Sequence, residues 1–335
     1  MPKRKYSNVT IRDVANLANV SLSSVSRVLN GHPAVSERLR KDVLLAVADL
    51  DYEPDFTATN LRKGSTMTIA FLMRDIASPL FSDMVKAAEA AVGELGYSLL
   101  LMNSGGSSIR EAAHIRSLAR ARVDGVILSL SSETDRDTVA ALQTLRVPVV
   151  LIDRDVGEIG TSSVISDHFS GLAAATRHLA ELGHTRIALI TGPHDVLASR
   201  ERLRGYKAGL RKMGLRFDPQ LVRMQSYEEE FGEEQTIAVL ELDERATAVI
   251  AGGAMIAYGT LRAIRAVGLT GRIAIVACDS WRSPELFEPS VTVVRRDVAE
   301  MGRVAAELVL DAINGGGAKS VTLTTELRPG IPVRP

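Results

Sequence analysis

Cysteine is nearly absent from this chain, and long apolar runs are missing altogether. The one cysteine, Cys278, cannot form an intramolecular disulfide and provides no Cys-x-x-Cys metal site, which favours a reducing compartment. No apolar run approaches the roughly 18 residues that span a bilayer. The basic start at residues 3–5 is not followed by the apolar segment of a secretory signal. We therefore predict a cytoplasmic protein with no membrane partner.

Signatures of the common enzyme classes are also missing. The chain contains no Gly-x-Gly-x-x-Gly, no Walker phosphate loop and no His-Glu-x-x-His zinc motif. The histidines show no metal-ligand spacing; they are His32, His114, His168, His178, His184 and His194. We expect no catalytic site, no metal and no cofactor.

The length and charge of the chain point to more than one folded unit. At 335 residues it exceeds a usual single domain, and its 46% hydrophobic and 24% charged content is typical of globular proteins. The net charge of zero hides an asymmetry, because residues 1–50 carry eight Lys or Arg against four acids. A basic head on a mildly acidic body is typical of a nucleic-acid-binding module attached to a second unit.

The first 50 residues predict three short helices. Thr10 is placed as the N-cap of a helix over about 11–18, with an acid three residues on. Asn19 is the residue type best able to take the left-handed conformation of a sharp turn. Ser21 then caps a second helix and Ser36 a third, which runs to about Leu50.

The chain after Thr66 alternates apolar, β-branched strands with helices, which predicts parallel sheets covered on both faces. The strands are too many for one ordinary sheet, so we expect two α/β lobes that divide near residues 160–165. The predicted strands are Thr68–Met73, Ser98–Asn103, Gly125–Leu130, Val147–Ile152, Val164–Ser166, Arg186–Thr191, Leu221–Gln225, Thr247–Ala251 and Ile273–Ala277.

The second helix of the head has the side chains of a DNA-reading helix. Small hydroxyls and one cation at its N-terminal end suit base edges and phosphates; they are Ser21, Ser23, Ser24, Ser26 and Arg27. An ordinary helical hairpin whose serines face solvent explains this pattern equally well.

A family resemblance separates these two interpretations. The runs Val9-Thr10-Ile11-Arg12-Asp13-Val14-Ala15, Ala18-Asn19-Val20-Ser21, Val25-Ser26-Arg27-Val28-Leu29-Asn30, Val35-Ser36 and Leu50-x-Tyr52-x-Pro54 resemble the DNA-binding head of the lactose/galactose repressor (LacI/GalR) family. The similarity continues to about Arg334. It implies a small all-α helix-turn-helix head, a hinge helix, and a two-lobed α/β core like periplasmic binding proteins.

The resemblance also implies domain boundaries. The head covers 1–54, the hinge 55–65 and the effector-binding and dimerisation core 66–335. Within the core we expect one lobe over about 66–164 plus 291–320 and the other over about 165–290 plus 321–335.

Residues of the family's DNA-binding surface carry over by position. Leu22 and Ser23 match the variable base-reading pair, and Arg27 matches the usual base-contacting arginine, able to read guanine. Further matches are Ser21, Ser26 and Asn30 for backbone or base contacts, Thr10 and Ser36 for phosphate contacts, and Leu61 for the hinge leucine that wedges into the minor groove.

The resemblance likewise implies an effector site in the cleft between the lobes. Arg202, in Ser199-x-x-Arg202-x-x-Gly205-Tyr206, matches an arginine that binds effector oxygens; a surface helix arginine is the alternative. Asp279 matches an effector-binding aspartate. The other expected contacts are Asp75, Phe81, Asp167, Tyr227 and Trp281.

Several of these assignments have alternatives or departures. Asp75 also fits a helix-capping acid in a strand-to-helix loop. Tyr227 and Trp281 fit plain core packing as well as ligand stacking. Asp167 precedes His168 where the family often has Asn, so the register there can slip by one residue. Ala254 stands where relatives commonly carry Asp.

We predict a homodimeric repressor that binds a palindromic operator in double-stranded DNA. When it is bound to its operator, we expect it to be associated with the nucleoid. Its affinity responds to a sugar, a sugar acid or a related metabolite. A stand-alone sugar receptor and a sugar-metabolising enzyme are the rival interpretations. The basic head argues against the first, and the absent phosphate loop and catalytic pairs argue against the second.

Overall fold

The computed structural model describes residues 9–29, 32–52, 65–157, 160–279 and 291–335. The chain divides into two units, Met1–Thr66 and Met67–Pro335, called the head and the core below. Three residues with predicted roles, Asn30, Leu61 and Trp281, lie outside the described residues.

The head contains three helices, α1 (Ile11–Leu17), α2 (Leu22–Leu29) and α3 (Glu37–Asp49). Asp13 accepts hydrogen bonds from the Thr10 backbone N (2.8 Å) and Oγ1 (2.7 Å) at the start of α1. Asn19 has φ +52°, which confirms the predicted left-handed turn. All three helices contribute to one small core, with Val14, Val25, Val28, Val43 and Ala46 buried.

The core contains two sheets of six strands each. The first has the order β11-β5-β4-β3-β1-β2 and is parallel throughout. Its strands are β1 (Thr68–Met73), β2 (Ser98–Asn103), β3 (Gly125–Leu128), β4 (Val149–Ile152), β5 (Ser162–Ser166) and β11 (Ser320–Leu323).

The second sheet has the order β12-β10-β9-β8-β6-β7, and only its edge strand β12 is antiparallel. Its strands are β6 (Ile187–Thr191), β7 (Val222–Met224), β8 (Ala248–Gly252), β9 (Ala274–Cys278), β10 (Thr292–Arg296) and β12 (Thr325–Arg328). The inner strands of both sheets are buried, as helices on both faces require.

Helices cover both sheets. In the described part of the core they are α4 (Pro79–Gly93), α5 (Ser108–Arg120), α6 (Arg136–Gln143), α7 (His168–Glu181), α8 (Leu197–Lys212), α9 (Glu229–Leu240), α10 (Ala254–Ala266) and α11 (Val298–Ile313). On the first lobe α11 packs against α4; on the second, α7 packs against α8 and α9 against α10. None of the helices within the described residues has the length and apolar character of a membrane span.

The chain passes between the lobes three times: after β5, after β10 and after β11. The predicted lobe boundaries differ from the structure at two of these places. Residues 292–296 form β10 in the second sheet and not in the first lobe, and 320–323 form β11 in the first sheet. These strands are short, and β11 and β12 are half exposed, so they lack the continuous apolar run on which strand prediction depends.

Candidate functional site

Helix α2 of the head has one apolar face and one accessible polar face. Val25 and Val28 are buried, whereas Ser21, Leu22, Ser23 and Arg27 are exposed. Ser21 Oγ lies 2.8 Å from Ser23 Oγ and accepts a hydrogen bond from the Ser24 backbone N (3.2 Å), which holds the start of the helix. Leu22, Ser23 and Arg27, for which base contacts are predicted, therefore lie outside the core of the head.

The caps of α1 and α3 are also accessible. Thr10 is exposed beside Asp13, and its hydrogen bonds lower the pKa of the Asp13 carboxyl. Ser36 Oγ accepts from the Leu39 backbone N (3.3 Å) at the start of α3. Backbone N–H groups at such helix starts carry partial positive charge and suit phosphate contacts.

A pocket lies between the two lobes of the core. Both lobes contribute to its wall. The first lobe supplies Arg74, Ser78, Leu80, Phe81, Ser129, Ile152, Asp153 and Arg154, and the second supplies Ala198, Arg202, Tyr227, Gly253, Ala254, Met255, Asp279 and Arg296.

Arg202 is held at the pocket wall by three side-chain and backbone contacts. Its Nη1 donates to Gly252 O (2.6 Å) and to Tyr227 Oη (3.3 Å), and its Nη2 donates to Asp279 Oδ1 (3.2 Å). Its Nε is buried and has no hydrogen-bond partner among the described residues. A buried N–H without a partner costs free energy, so this atom favours a ligand oxygen or a water.

Tyr227 and Ser199 fix the arginine from one side. Tyr227 Oη lies 2.6 Å from Ser199 Oγ, one turn before Arg202 on α8. The Arg202 guanidinium carbon lies 5.8 Å from the centre of the Tyr227 ring. The spacing Ser199-x-x-Arg202 therefore places both residues on the helix face that meets Tyr227.

Two aspartates follow inner strands of different sheets. Asp153 follows β4 with φ +51°, and Asp279 follows β9 with φ +84°. Left-handed backbone is unfavourable for aspartate and is kept only where surrounding contacts determine it.

Arg296 links the two aspartates across the lobes. Its Nε lies 2.8 Å from Asp279 Oδ1, and its Nη1 forms an ion pair with Asp153 Oδ2. Asp153 Oδ1 also accepts from the Ser166 backbone N (2.8 Å) and lies 3.2 Å from His168 Nε2. The result is a buried charge network that joins residues of both lobes.

The network determines which groups are charged. Burial raises the pKa of Asp153 and of Asp279, but Arg296 beside both acids, with His168 near the first and Arg202 near the second, brings each pKa below its ordinary value. Burial lowers the pKa of His168, and Asp153 offsets this only in part. The aspartates are therefore ionised and the histidine neutral at pH 7.

Further polar contacts join the two lobes at the rim of the cleft. Glu133 of the first lobe is buried and accepts from the Leu197 backbone N (2.7 Å) and Arg200 Nη2 (2.7 Å) of the second. Ser132 donates to Asp195 beside it. On another part of the rim Arg74 Nη1 donates to Glu228 Oε1 (2.9 Å).

The structure brings Phe81, Arg202, Tyr227 and Asp279 together around this pocket, and it does not bring two other predicted residues there. Asp75 lies outside the lining, where its Oδ1 accepts from the Ala77 backbone N (3.0 Å), so the loop-capping interpretation describes it. Asp167 caps α7 by accepting from Ser170 N (2.9 Å). Its neighbour His168 is the residue that contacts the charge network, one position further on.

Sequence reasoning missed Asp153, Arg154 and Arg296. The first two follow strand β4 at its carboxyl end, the place where α/β sheets bind ligands, so this rule could have found them. Arg296 ends β10, a strand that the apolar pattern did not reveal. No cluster with the composition of a metal site occurs among the residues that the structure describes.

Comparison with known families covers both units. Residues 10–55 match the family described as bacterial regulatory proteins, lacI family, and residues 66–328 match the periplasmic binding proteins and sugar binding domain of the LacI family. The chain belongs to the LacI family. LacI-family membership confirms the predicted fold class, a helix-turn-helix head with a two-lobed α/β core. It also confirms a transcriptional repressor with an effector-binding domain instead of an enzyme.

Individual LacI-family relatives match over nearly their whole length. The ribose operon repressor of Escherichia coli (strain K12) is 33% identical over 308 residues, 91% of this chain and 93% of that protein. The HTH-type transcriptional repressor PurR of Proteus mirabilis (strain HI4320) is 31% identical over 309 residues, 91% and 90% of the two chains. The solved Lac repressor dimer bound to operator and the anti-inducer ONPF has a TM-score of 0.84 at 27% identity, with 98% of this chain and 100% of that chain covered. LacI-family regulators bind operator DNA and small effectors and function as dimers.

Proposed function

We propose that a homodimer of this chain binds a palindromic operator through α2 and the caps of α1 and α3. The contacts are assigned to Thr10, Ser21, Leu22, Ser23, Ser26, Arg27 and Ser36, and by family position to Asn30 and Leu61, outside the described residues. The exposed polar face of α2 supports this assignment. Two heads related by a two-fold axis require two matching half-sites.

The effector is proposed to bind in the pocket between the lobes. The observation that carries this is Arg202, a buried guanidinium on the pocket wall whose Nε has no partner among the described residues. Asp279, Tyr227 and Phe81 line the same pocket, so a polyhydroxylated ligand finds a donor, an acceptor and an aromatic wall there. Trp281, two residues after Asp279, is kept as a proposed contact on the resemblance alone.

Ligand and DNA are proposed to communicate through the cleft. The charge network and the rim contacts hold the lobes by ion pairs that a ligand among Arg202, Asp279 and Arg296 would rearrange. A change in lobe geometry alters how two cores present their heads to one operator. Thermodynamic linkage then requires ligand and operator to change each other's affinity by the same factor. Such a repressor acts in the bacterial cytoplasm, on the nucleoid when it is bound to its operator.

The direct test uses the full chain and operators selected from random double-stranded DNA. The selected sites are expected to contain two inverted half-sites. A panel of sugars, sugar acids, phosphosugars, polyols and nucleobases is then screened by thermal shift, where a ligand at 100 times its Kd adds about 2.7 kcal/mol. A true effector is expected to change the operator Kd by about 5- to 150-fold. A cleft ligand that leaves the operator Kd unchanged refutes the coupling.

A variant of Arg202 ties the response to this pocket. Arg202→Met removes the guanidinium but keeps its length, and Asp279 keeps Arg296 as a partner. We expect the effector response to disappear while operator binding persists. Arg204→Ala, an exposed change on the same helix, is the matched control and is expected to respond like the wild type.

A further inference from the structure

The wall of the cleft carries more positive than negative charge. Its ionisable side chains are four arginines, Arg74, Arg154, Arg202 and Arg296, and two aspartates, Asp153 and Asp279. A neutral sugar needs only balanced donors and acceptors, so this excess calls for a separate explanation.

Three of the four arginines have carboxylate partners. Arg296 pairs with both aspartates, and Arg202 pairs with Asp279. Arg74 pairs with Glu228, whose side chain is 52% exposed at the rim. Counting Glu228 leaves an excess of one positive charge.

Arg154 carries that excess. It is buried, with 5% of its surface exposed, and its Nε donates to Leu130 O (2.5 Å) and its Nη1 to Asp153 O (2.9 Å). Among the described residues, the hydrogen bonds of Arg154 go only to these two carbonyl oxygens and none goes to a carboxylate. A buried cation compensated only by carbonyl oxygens is costly.

A buried acid that Arg154 influences electrostatically does not neutralise it. Glu111 of α5 is fully buried and accepts from the Ser131 backbone N (2.8 Å) instead. Burial raises the pKa of the Glu111 carboxyl to about 7, although Ser131 and Arg154 act to lower it. At neutral pH this acid is therefore only partly ionised.

We infer that the effector is a polyhydroxylated carboxylate, a sugar acid with one negative charge, whose carboxylate binds the Arg154 guanidinium in the cleft. The inference rests on the proposed effector pocket and names the class of its ligand. A planar carboxylate matches two parallel N–H groups of a guanidinium, and one charge balances the single excess. A phosphosugar would bring a second negative charge for which the wall has no further cation.

The test compares matched ligands on the full chain. Hexuronates and aldonates (D-glucuronate, D-galacturonate, D-gluconate and D-galactonate) are paired with neutral D-glucose and D-galactose and with the two hexose 6-phosphates. Binding is measured by calorimetry and by the fluorescence of the single tryptophan. We expect one sugar acid to bind at least about tenfold tighter than its neutral and phosphorylated counterparts, as a charge-assisted hydrogen-bonded pair implies.

Two variants locate the carboxylate site. Arg154→Gln is expected to weaken binding of the sugar acid about 10- to 100-fold and binding of the neutral sugar less than about threefold. Arg154→Lys, which keeps the charge, is expected to recover part of the lost affinity. Glu228→Gln removes an exposed carboxylate that pairs with Arg74, so it is expected to strengthen binding of the sugar acid about threefold. This gain cannot result from misfolding, and it keeps the inference testable if Arg154→Gln does not fold.

The outcomes separate this inference from the proposed function. A neutral sugar that binds as tightly as its acid and changes operator affinity overturns the sugar-acid assignment and leaves the cleft sensor standing. A 6-phosphate that binds tightest, or an acid whose affinity Arg154→Gln does not lower, overturns it as well. Failure of every ligand to bind overturns both.

Discussion

Arg296 of the second lobe forms a buried ion pair with Asp153 of the first. The two residues are 143 positions apart in the chain, and both side chains are about 95% buried. Arg296 also holds Asp279 of its own lobe, so one guanidinium compensates two buried carboxylates. Both buried aspartates of the pocket wall therefore depend on the same arginine side chain.

Removal of Arg296 should destabilise the core strongly. Arg296→Ala leaves Asp153 without its arginine and Asp279 with Arg202 alone, and breaking a buried pair costs about 3–5 kcal/mol. Urea unfolding of the full chain, followed by the fluorescence of the single tryptophan, measures this. Arg303→Ala, which removes a half-exposed arginine paired on one helix face, should cost less than about 1 kcal/mol. Equal losses in the two variants would contradict the assigned role of Arg296.

Glu111 should make the core less stable as the pH rises. Because burial raises the pKa of its carboxyl from 4.5 to about 7, the folded protein keeps a proton that the unfolded chain loses between those pH values. The free energy of unfolding contributed by this group therefore falls between about pH 4.5 and 7 by roughly 3 kcal/mol.

The variant Glu111→Gln has no such proton and should show a flatter profile in urea unfolding from pH 5 to 8. His168 and His184 have lowered pKa values and act in the opposite direction, so only the difference from the wild type isolates Glu111. Glu94→Gln, an exposed change, serves as the control. A difference that does not vary with pH would contradict the raised pKa.

Gly205 should tolerate no side chain. A Cβ there would lie 2.2 Å from the Phe169 carbonyl oxygen, because α7 and α8 approach each other closely at this point. Gly205→Ala is expected to lower the free energy of unfolding by about 2 kcal/mol or more through overpacking. It is also expected to weaken effector binding, because Arg202 lies one turn earlier on the same helix. Gly93→Ala at the end of α4, where a Cβ meets no atom within 4 Å, should be neutral or stabilising by up to about 1 kcal/mol. The melting temperatures of both variants, compared with that of the wild type, test this prediction.

Arg27 should govern operator specificity without affecting the effector. Arg27→Ala removes an exposed guanidinium on α2 and is expected to cost about 1–3 kcal/mol on the selected operator and to relax the preference at one base pair. Arg38→Ala removes an exposed charge from the first turn of α3, next to the Ser36 cap proposed to contact phosphate. Because phosphate contacts do not depend on sequence, this variant is expected to bind selected and random DNA more weakly to the same extent. Fluorescence anisotropy with the selected operator and with random DNA gives the ratio of the two affinities for each variant. An unchanged ratio for Arg27→Ala would remove Arg27 from the base-reading set, and effector affinity should stay at the wild-type value in both variants.

The elements that sequence reasoning predicted well are those determined by local chemistry. Asn19 follows the first helix where only a left-handed residue continues the turn, and the apolar strands β1 and β2 have the predicted bounds. The spacing from Ser199 to Gly205 was informative for a similar reason. One face of α8 must carry the Ser199 hydroxyl, the Arg202 guanidinium and, at Gly205, the space into which α7 packs, and helical geometry fixes their spacing at three residues.

The parts that were not predicted depend on contacts distant in sequence. Asp75 and Asp153 both follow parallel strands at the same edge of the first sheet, and nothing local distinguishes them. Asp153 faces the pocket because Arg296 and His168, from distant segments, hold it there. Sequence proximity instead favours the Asp75 turn, whose acceptor and donor are two residues apart.

Strand β11 joins the edge of β5 by parallel pairing, with Ser320 opposite Ser163, which lies 157 positions earlier in the chain. At about 5–20 residues per second, a ribosome needs roughly 8–30 s to synthesise that interval. Throughout this time one edge of β5 has no partner strand, while five of the six strands of the second sheet are synthesised. Nascent or prematurely terminated chains thus expose the unpaired backbone of β5, which a chaperone or protease can engage until β11 pairs with it.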